Sequence, residues 1–143
     1  MAGQNTGFQM SYRIDATNVN PDTGKNEVPR YRIVQKVGDN TIKLADDNAV
    51  PLGVTANDER LDDPLRDGGS QAGRQIAVQL DRIANVELAS AVNANDPIVA
   101  AAGGKGQAIP GTPGTYNVLG FAEKGGDAGD VVPVRIAYHV RTV

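Results

Sequence analysis

Pro51-Leu52-Gly53-Val54-Thr55, followed by Ala72-Gly73-Arg74-Gln75-Ile76-Ala77-Val78-Gln79-Leu80, is a phrase that this sequence states twice. The second copy is Val118-Leu119-Gly120-Phe121-Ala122, followed by Ala128-Gly129-Asp130-Val131-Val132-Pro133-Val134-Arg135-Ile136. Each copy is a short apolar run with a Leu-Gly pair, then a loop, then Ala-Gly leading into alternating apolar and polar residues. Alternation with period two marks a half-buried strand. A glycine just before a strand supplies the positive φ that tight turns need. Each copy therefore reads as strand, loop, strand, and the fold is expected to rest on two similar β-hairpins packed together. The loops differ in length, so residues 57–71 form an insertion in the first copy. Long loops in compact domains carry function more often than chance allows, and Leu61 and Leu65 make this one a candidate contact surface.

Outward from the repeat, the same alternation recurs. Phe8, Met10, Tyr12 and Ile14 lie on one side of a strand whose other side carries Gln9, Ser11, Arg13 and Asp15. This strand is terminal and is followed by a very polar segment, residues 18–27. Two readings stand, an ordinary sheet strand or an arm able to add to a neighbouring sheet edge; its position favours the arm, with residues 18–27 as a loop or linker. Residues 30–37 form a second strand, Ile42 and Leu44 a third, and Ile83, Val86 and Leu88 continue the sheet. Turns are expected at Gly38-Asp39-Asn40, Asp46-Asp47-Asn48 and Asn93-Ala94-Asn95-Asp96-Pro97. The closing strand, residues 131–143, is expected to be tied into the sheet. Pro133 within it cannot donate to a ladder, which points to an edge or a bulge there. The organisation is then an N-terminal arm and linker, residues 1–29, and one β domain, residues 30–143. That domain holds an internal pseudo-repeat over about 42–88 and 98–143. The fold class is all-β: a jelly-roll-like β-sandwich or small β-barrel with an extended N-terminal arm.

Composition narrows the function classes. A chain of 143 residues is one domain's length and buries roughly 70% of its unfolded surface. With two Phe, four Tyr and no Trp, its core must be built from Val, Ile, Leu and Ala. A net charge of -3 argues against nucleic acid as the main partner, since phosphate binding needs a basic face. With no cysteine there is no disulfide or thiolate site. No apolar run approaches membrane-spanning length, and the polar start lacks a signal-peptide pattern. The expectation is a soluble protein that stays in the cell that makes it, or leaves when that cell breaks, with no membrane and no nucleic acid among its partners.

Each candidate for chemistry in the sequence has a simpler account. Gly68-Gly69-Ser70-Gln71-Ala72-Gly73-Arg74-Gln75 has phosphate-loop glycine spacing but lacks the Lys and the following Ser or Thr. Asp58, Glu59, Asp62, Asp63 and Asp67 crowd one loop but miss calcium-loop spacing, and Arg60 and Arg66 dilute their charge. His139 is the single histidine and falls on the polar side of a strand, where a surface role is the simpler reading. No serine sits in a nucleophile elbow. No cofactor, no metal and no catalytic residue is expected; the protein is read as no enzyme.

Residues 38–143 resemble the small phage capsid cement, or head decoration, proteins. The resemblance is carried by the turn before Ile42-Lys43-Leu44-Ala45, Pro51-Leu52-Gly53-Val54 and Ala72-Gly73 leading into Ile76-Ala77-Val78-Gln79-Leu80. It continues through Asn95-Asp96-Pro97-Ile98-Val99 and Val118-Leu119-Gly120-Phe121-Ala122 with Ala128-Gly129-Asp130. Residues 57–71 are long for that family, and residues up to about 37 match no pattern in it. The resemblance implies a structural virion protein made in the host cytoplasm and bound to the outer surface of the head. There it would bridge major capsid protein subunits, stabilise the shell, and associate with itself as a dimer or trimer at symmetry axes. Phe8, Met10, Tyr12, Ile14, Leu61 and Leu65 are the residues expected to contact the capsid or a sister subunit. Two other classes stay open: a carbohydrate- or receptor-binding β-module displayed on a virion, and a small hydrolase using His139 or a carboxylate pair.

Overall fold

Where apolar residues recur at every second position, the chain forms strands. The computed structural model describes residues 8–55, 70–71 and 74–143. Its strands are β1 (Gln9–Ile14), β2 (Glu27–Val28), β3 (Ile33–Lys36), β4 (Thr41–Leu44), β5 (Gly53–Thr55), β6 (Ser70–Gln71), β7 (Gln75–Gln79), β8 (Ile83–Glu87), β9 (Pro97–Ala100), β10 (Gly106–Ala108), β11 (Thr115–Ala122) and β12 (Val131–Thr142). A 3-10 turn, Ala102–Gly104, links β9 to β10. The fold is all-β. Five strands close into a barrel in the order β1, β4, β3, β5, β7, and five more form a sheet in the order β10, β9, β11, β12, β8. The short β2 and β6 pair separately.

The two copies of the repeated phrase are two antiparallel pairs, one in each layer. In the barrel β5 pairs β7, Val54 opposite Gln79. In the sheet β11 pairs β12, Phe121 opposite Arg135. The Leu-Gly pair has the same physical cause in both. A Cβ on Gly53 would press into the carbonyl oxygen of Gln79, and one on Gly120 into that of Arg135, so each glycine sits where the partner strand's backbone runs too close for any side chain. Gly129, before β12, has φ +89°, as the turn reading requires.

Burial follows from this layering. Tyr12, Ile14, Val34, Ile42, Leu44, Ile76 and Val78 fill the barrel. A second core lies between the layers, where Ile33 and Val54 from the barrel meet Val86, Leu88, Ile98, Leu119, Val132 and Val134 from the sheet. Adjacent residues Ile33 and Val34 are both fully buried because β3 has a core on each of its faces. The two hairpins pack together through Val54.

Residues 1–17 do not form an arm within the described part of the chain. β1 is a barrel stave: it pairs β7 from Gln9 opposite Gln79 to Arg13 opposite Gln75, and pairs β4 in parallel through Arg13 and Ile14. Tyr12 and Ile14 are 6% and 1% exposed. An amphipathic terminal strand satisfies its apolar face equally well in its own sheet or a neighbour's, and here it completes its own. Nor are residues 18–27 a free linker. Asn18 is buried; its side-chain amide donates to the Glu27 carbonyl at 3.1 Å and to Asn26 Oδ1 at 2.9 Å, while its Oδ1 accepts the Leu44 N–H at 2.8 Å. Asn26 in turn donates to the Asp15 carbonyl at 3.0 Å. The loop is thereby fastened to β4. Asn18→Ala is expected to cost about 2–3 kcal/mol in chemical denaturation, because it leaves the buried Leu44 N–H and Glu27 carbonyl without partners.

Pro133 is neither at an edge nor at a bulge. It lies inside β12 opposite Asn85. The Glu123 N–H donates to its carbonyl at 2.8 Å, one residue past the end of β11, so the donor that proline lacks is missed only at the last rung. The irregularity comes later, where the register of β11 slips between Val118 and Gly120 against both neighbours.

Candidate functional site

The residues expected to make contacts separate into three groups. Phe8 and Met10 lie at the open start of β1, 61% and 45% exposed. Tyr12 and Ile14 are interior and present no surface. Leu61 and Leu65 lie outside the described residues, as do the carboxylates Asp58, Glu59, Asp62, Asp63 and Asp67 and the glycines of residues 68–69 and 73. Phe8 is held by its backbone: its N–H donates to Asp81 Oδ1 at 2.6 Å and its carbonyl accepts from Leu80 at 2.8 Å. The same turn, residues 80–82, carries the chain from barrel to sheet, and its Arg82 carbonyl accepts the Ile136 N–H at 2.7 Å. The start of β1 and the middle of β12 therefore flank one turn. Exposed Ile83 follows it.

A second surface is the far end of the β11–β12 ribbon. Phe121 stacks on His139 with ring centroids 5.5 Å apart and 19° between planes. The guanidinium groups of Arg135 and Arg141 sit 5.7 and 5.8 Å from the Phe121 centroid, so the ring's negative face is used by cations. Arg135 also pairs with Glu123 at 2.8 Å. His139 Nδ1 lies 2.9 Å from the Ala137 carbonyl and Nε2 3.3 Å from Arg141. Its contacts are thus a carbonyl, a guanidinium and a ring. Beside it, Tyr138 and Val140 are 49% and 56% exposed. The expectation that residues 131–143 are tied into the sheet holds on the β11 side along the strand and on the β8 side only for Val131–Arg135. The missed signal is length: the strand spans twelve residues, while β8 beside it spans five.

The third feature is a charge cluster that fastens the layers. Arg32, 4% exposed, donates to the Gly103 carbonyl at 3.0 Å and pairs with Asp22 at 3.1 Å and Glu87 at 3.3 Å. Lys105 meets the same two carboxylates at 3.5 and 3.4 Å. Partial burial works against the charged form of Asp22, but the Arg32 hydrogen bond and the charges of Lys105 and Arg32 outweigh it and hold its carboxyl below the usual range. The cluster ties the loop at Asp22, strand β8 and the turn after β9 together. A hollow of about 290 Å³ opens on the barrel wall, lined by Ser11, Arg13, Asn40, Thr41 and Gln75. It offers hydroxyls, amides and one guanidinium. Among the described residues no group of three or more His, Cys, Asp or Glu could hold a metal ion, and no helix is long and apolar enough to cross a membrane.

Comparison with solved structures finds the same fold in a viral protein. The chain superimposes on the crystal structure of the head fiber gp8.5 N base of bacteriophage phi29 with a TM-score of 0.59. The match covers 91% of this chain and 93% of that one at 19% sequence identity. The likeness is therefore one of fold, over nearly the whole of both chains. No protein-family model matches the sequence, and no curated protein sequence matches it.

Proposed function

We propose that this chain is a structural protein of a phage virion that binds the outer surface of the head. The observation that carries this is the end-to-end agreement in fold with a phage head fiber base, reached by a sequence whose phrases already resembled head decoration proteins. The reading assigns no catalysis and no cofactor. The major capsid protein is the partner, and bridging between its subunits stabilises the shell. Of the six residues first singled out, Phe8 and Met10 remain the exposed apolar pair able to reach a capsid surface. Many equivalent sites on one shell make modest individual contacts sufficient.

The test is co-sedimentation of a Phe8→Ser, Met10→Ser double variant with expanded heads lacking the protein. Phe8 and Met10 are 61% and 45% exposed, and a cooperative thermal melt of the variant is the check that it folds. The variant is expected to bind at least tenfold more weakly than the wild-type chain. Equal binding would remove the start of β1 from the contact surface.

A further inference from the structure

The described strands leave little edge open. The barrel closes on itself. At one side of the second sheet, Gly106 of β10 accepts the Ala89 N–H at 2.8 Å and bridges Leu88. At the other, β8 gives the Glu87 N–H to the Tyr31 carbonyl at 2.9 Å. The start of β11 is closed by one side chain. Asn48 donates to the Thr115 carbonyl at 3.0 Å and accepts the Asn117 N–H at 2.8 Å, and its own carbonyl takes the Asn117 amide at 3.0 Å. Besides the short β2–β6 pair and the start of β1, which meets β4 only through Arg13 and Ile14, the longest edge that remains is the end of β12. β8 accompanies it only from Val131 to Arg135, so among the described residues 137–142 have a strand neighbour on the β11 side alone.

Register shows which main-chain groups are free. Gly114 and Val143 exchange both hydrogen bonds, at 3.1 and 2.9 Å. Antiparallel pairs alternate, so Arg141 and His139 also turn their main-chain groups toward β11. Tyr138, Val140 and Thr142 turn theirs outward. None of these three is charged and none is proline, the residues by which natural edges are blunted.

We infer that residues 137–142 form a strand-pairing site for a second copy of this chain, in antiparallel two-fold register about Val140. That register sets Val140 against its own equivalent and Tyr138 against Thr142 of the other copy. Every outward-facing residue is used and about six inter-chain hydrogen bonds form. His139 falls opposite Arg141 of the second copy, a contact these two side chains already make within one chain at 3.3 Å. A second copy brings the same uncharged, proline-free edge, so all three outward residues of each strand find a partner. A pairing this short is below the size of a stable interface, so the dimer is weak and forms at the upper end of the concentrations tested. This inference stands apart from the reading as a head protein.

Sedimentation velocity of the full chain from about 5 to 500 µM tests it. The wild-type chain is expected to shift toward twice its 15.0 kDa mass. Val140→Pro is expected to remain a monomer throughout. Val140 and Asn117 form a pair without mutual hydrogen bonds, so the proline removes an outward donor and no internal one. Val140→Lys, which puts two like charges on the two-fold axis, gives the same result if the proline variant fails to melt cooperatively. A wild-type chain that stays monomeric at 500 µM, or a dimer that persists in the folded variants, overturns the proposal.

Discussion

Gly120→Ala is expected to lower the stability of the whole chain by about 3 kcal/mol or more, at the upper end of the range for overpacking a filled site. In a protein of this size that is a fall in melting temperature of roughly 10 °C. The reason is geometric. The added methyl meets the Arg135 carbonyl carbon at 2.8 Å and the Ala137 N at 2.9 Å, besides the Arg135 oxygen itself. All are backbone atoms of β12, which cannot swing aside as a side chain does. β12 in turn is held from its other side by β8. Gly111→Ala is the matched control, since a Cβ there has nothing within 4 Å. Thermal melts of the two variants are expected to separate clearly. A Gly120→Ala protein melting within about 2 °C of wild type would mean that the hairpin does not pass as close as described.

Removal of residues 1–17 is expected to abolish cooperative folding. β1 is hydrogen-bonded to both β7 and β4, so its loss opens the barrel and bares two strand edges. It also removes Tyr12 and Ile14 from the core, each contributing about 1.5–3 kcal/mol of apolar burial. Together these rival the 5–15 kcal/mol that holds a typical domain. Circular dichroism and a thermal melt of residues 18–143 check this. A cooperative transition near the wild-type temperature would return residues 1–17 to the role of a separable arm.

The strands were legible because their patterns are local. The alternation at residues 8–15, the Ile42-Leu44 pair and the Asn93-to-Pro97 turn each carry their structure in a few neighbouring residues, and each stands where the pattern put it. The recurrence of Leu-Gly was legible as a repeat; its cause, the approach of a partner backbone, was not, because it depends on a residue 15 or more positions away. The parallel contact of β1 with β4 joins residues far apart through two intervening strands, and nothing in either strand announces it. That is why Tyr12 and Ile14 were read as outward anchors: period two tells which residues share a face and says nothing about what covers it. Burial of Asn18 was hidden for the complementary reason, since a polar residue in a polar loop gives no sign that its amide will be satisfied on all sides. At the other end, the exposure of Tyr138 and Val140 reflects a strand that outruns its neighbour, a matter of relative length.

The most direct measurement of the central claim is the binding of the purified wild-type chain to expanded heads of its own phage prepared without it. Saturable co-sedimentation at a fixed ratio to the major capsid protein is the expected result. A folded chain that stays in the supernatant at every concentration would contradict the assignment to the head surface.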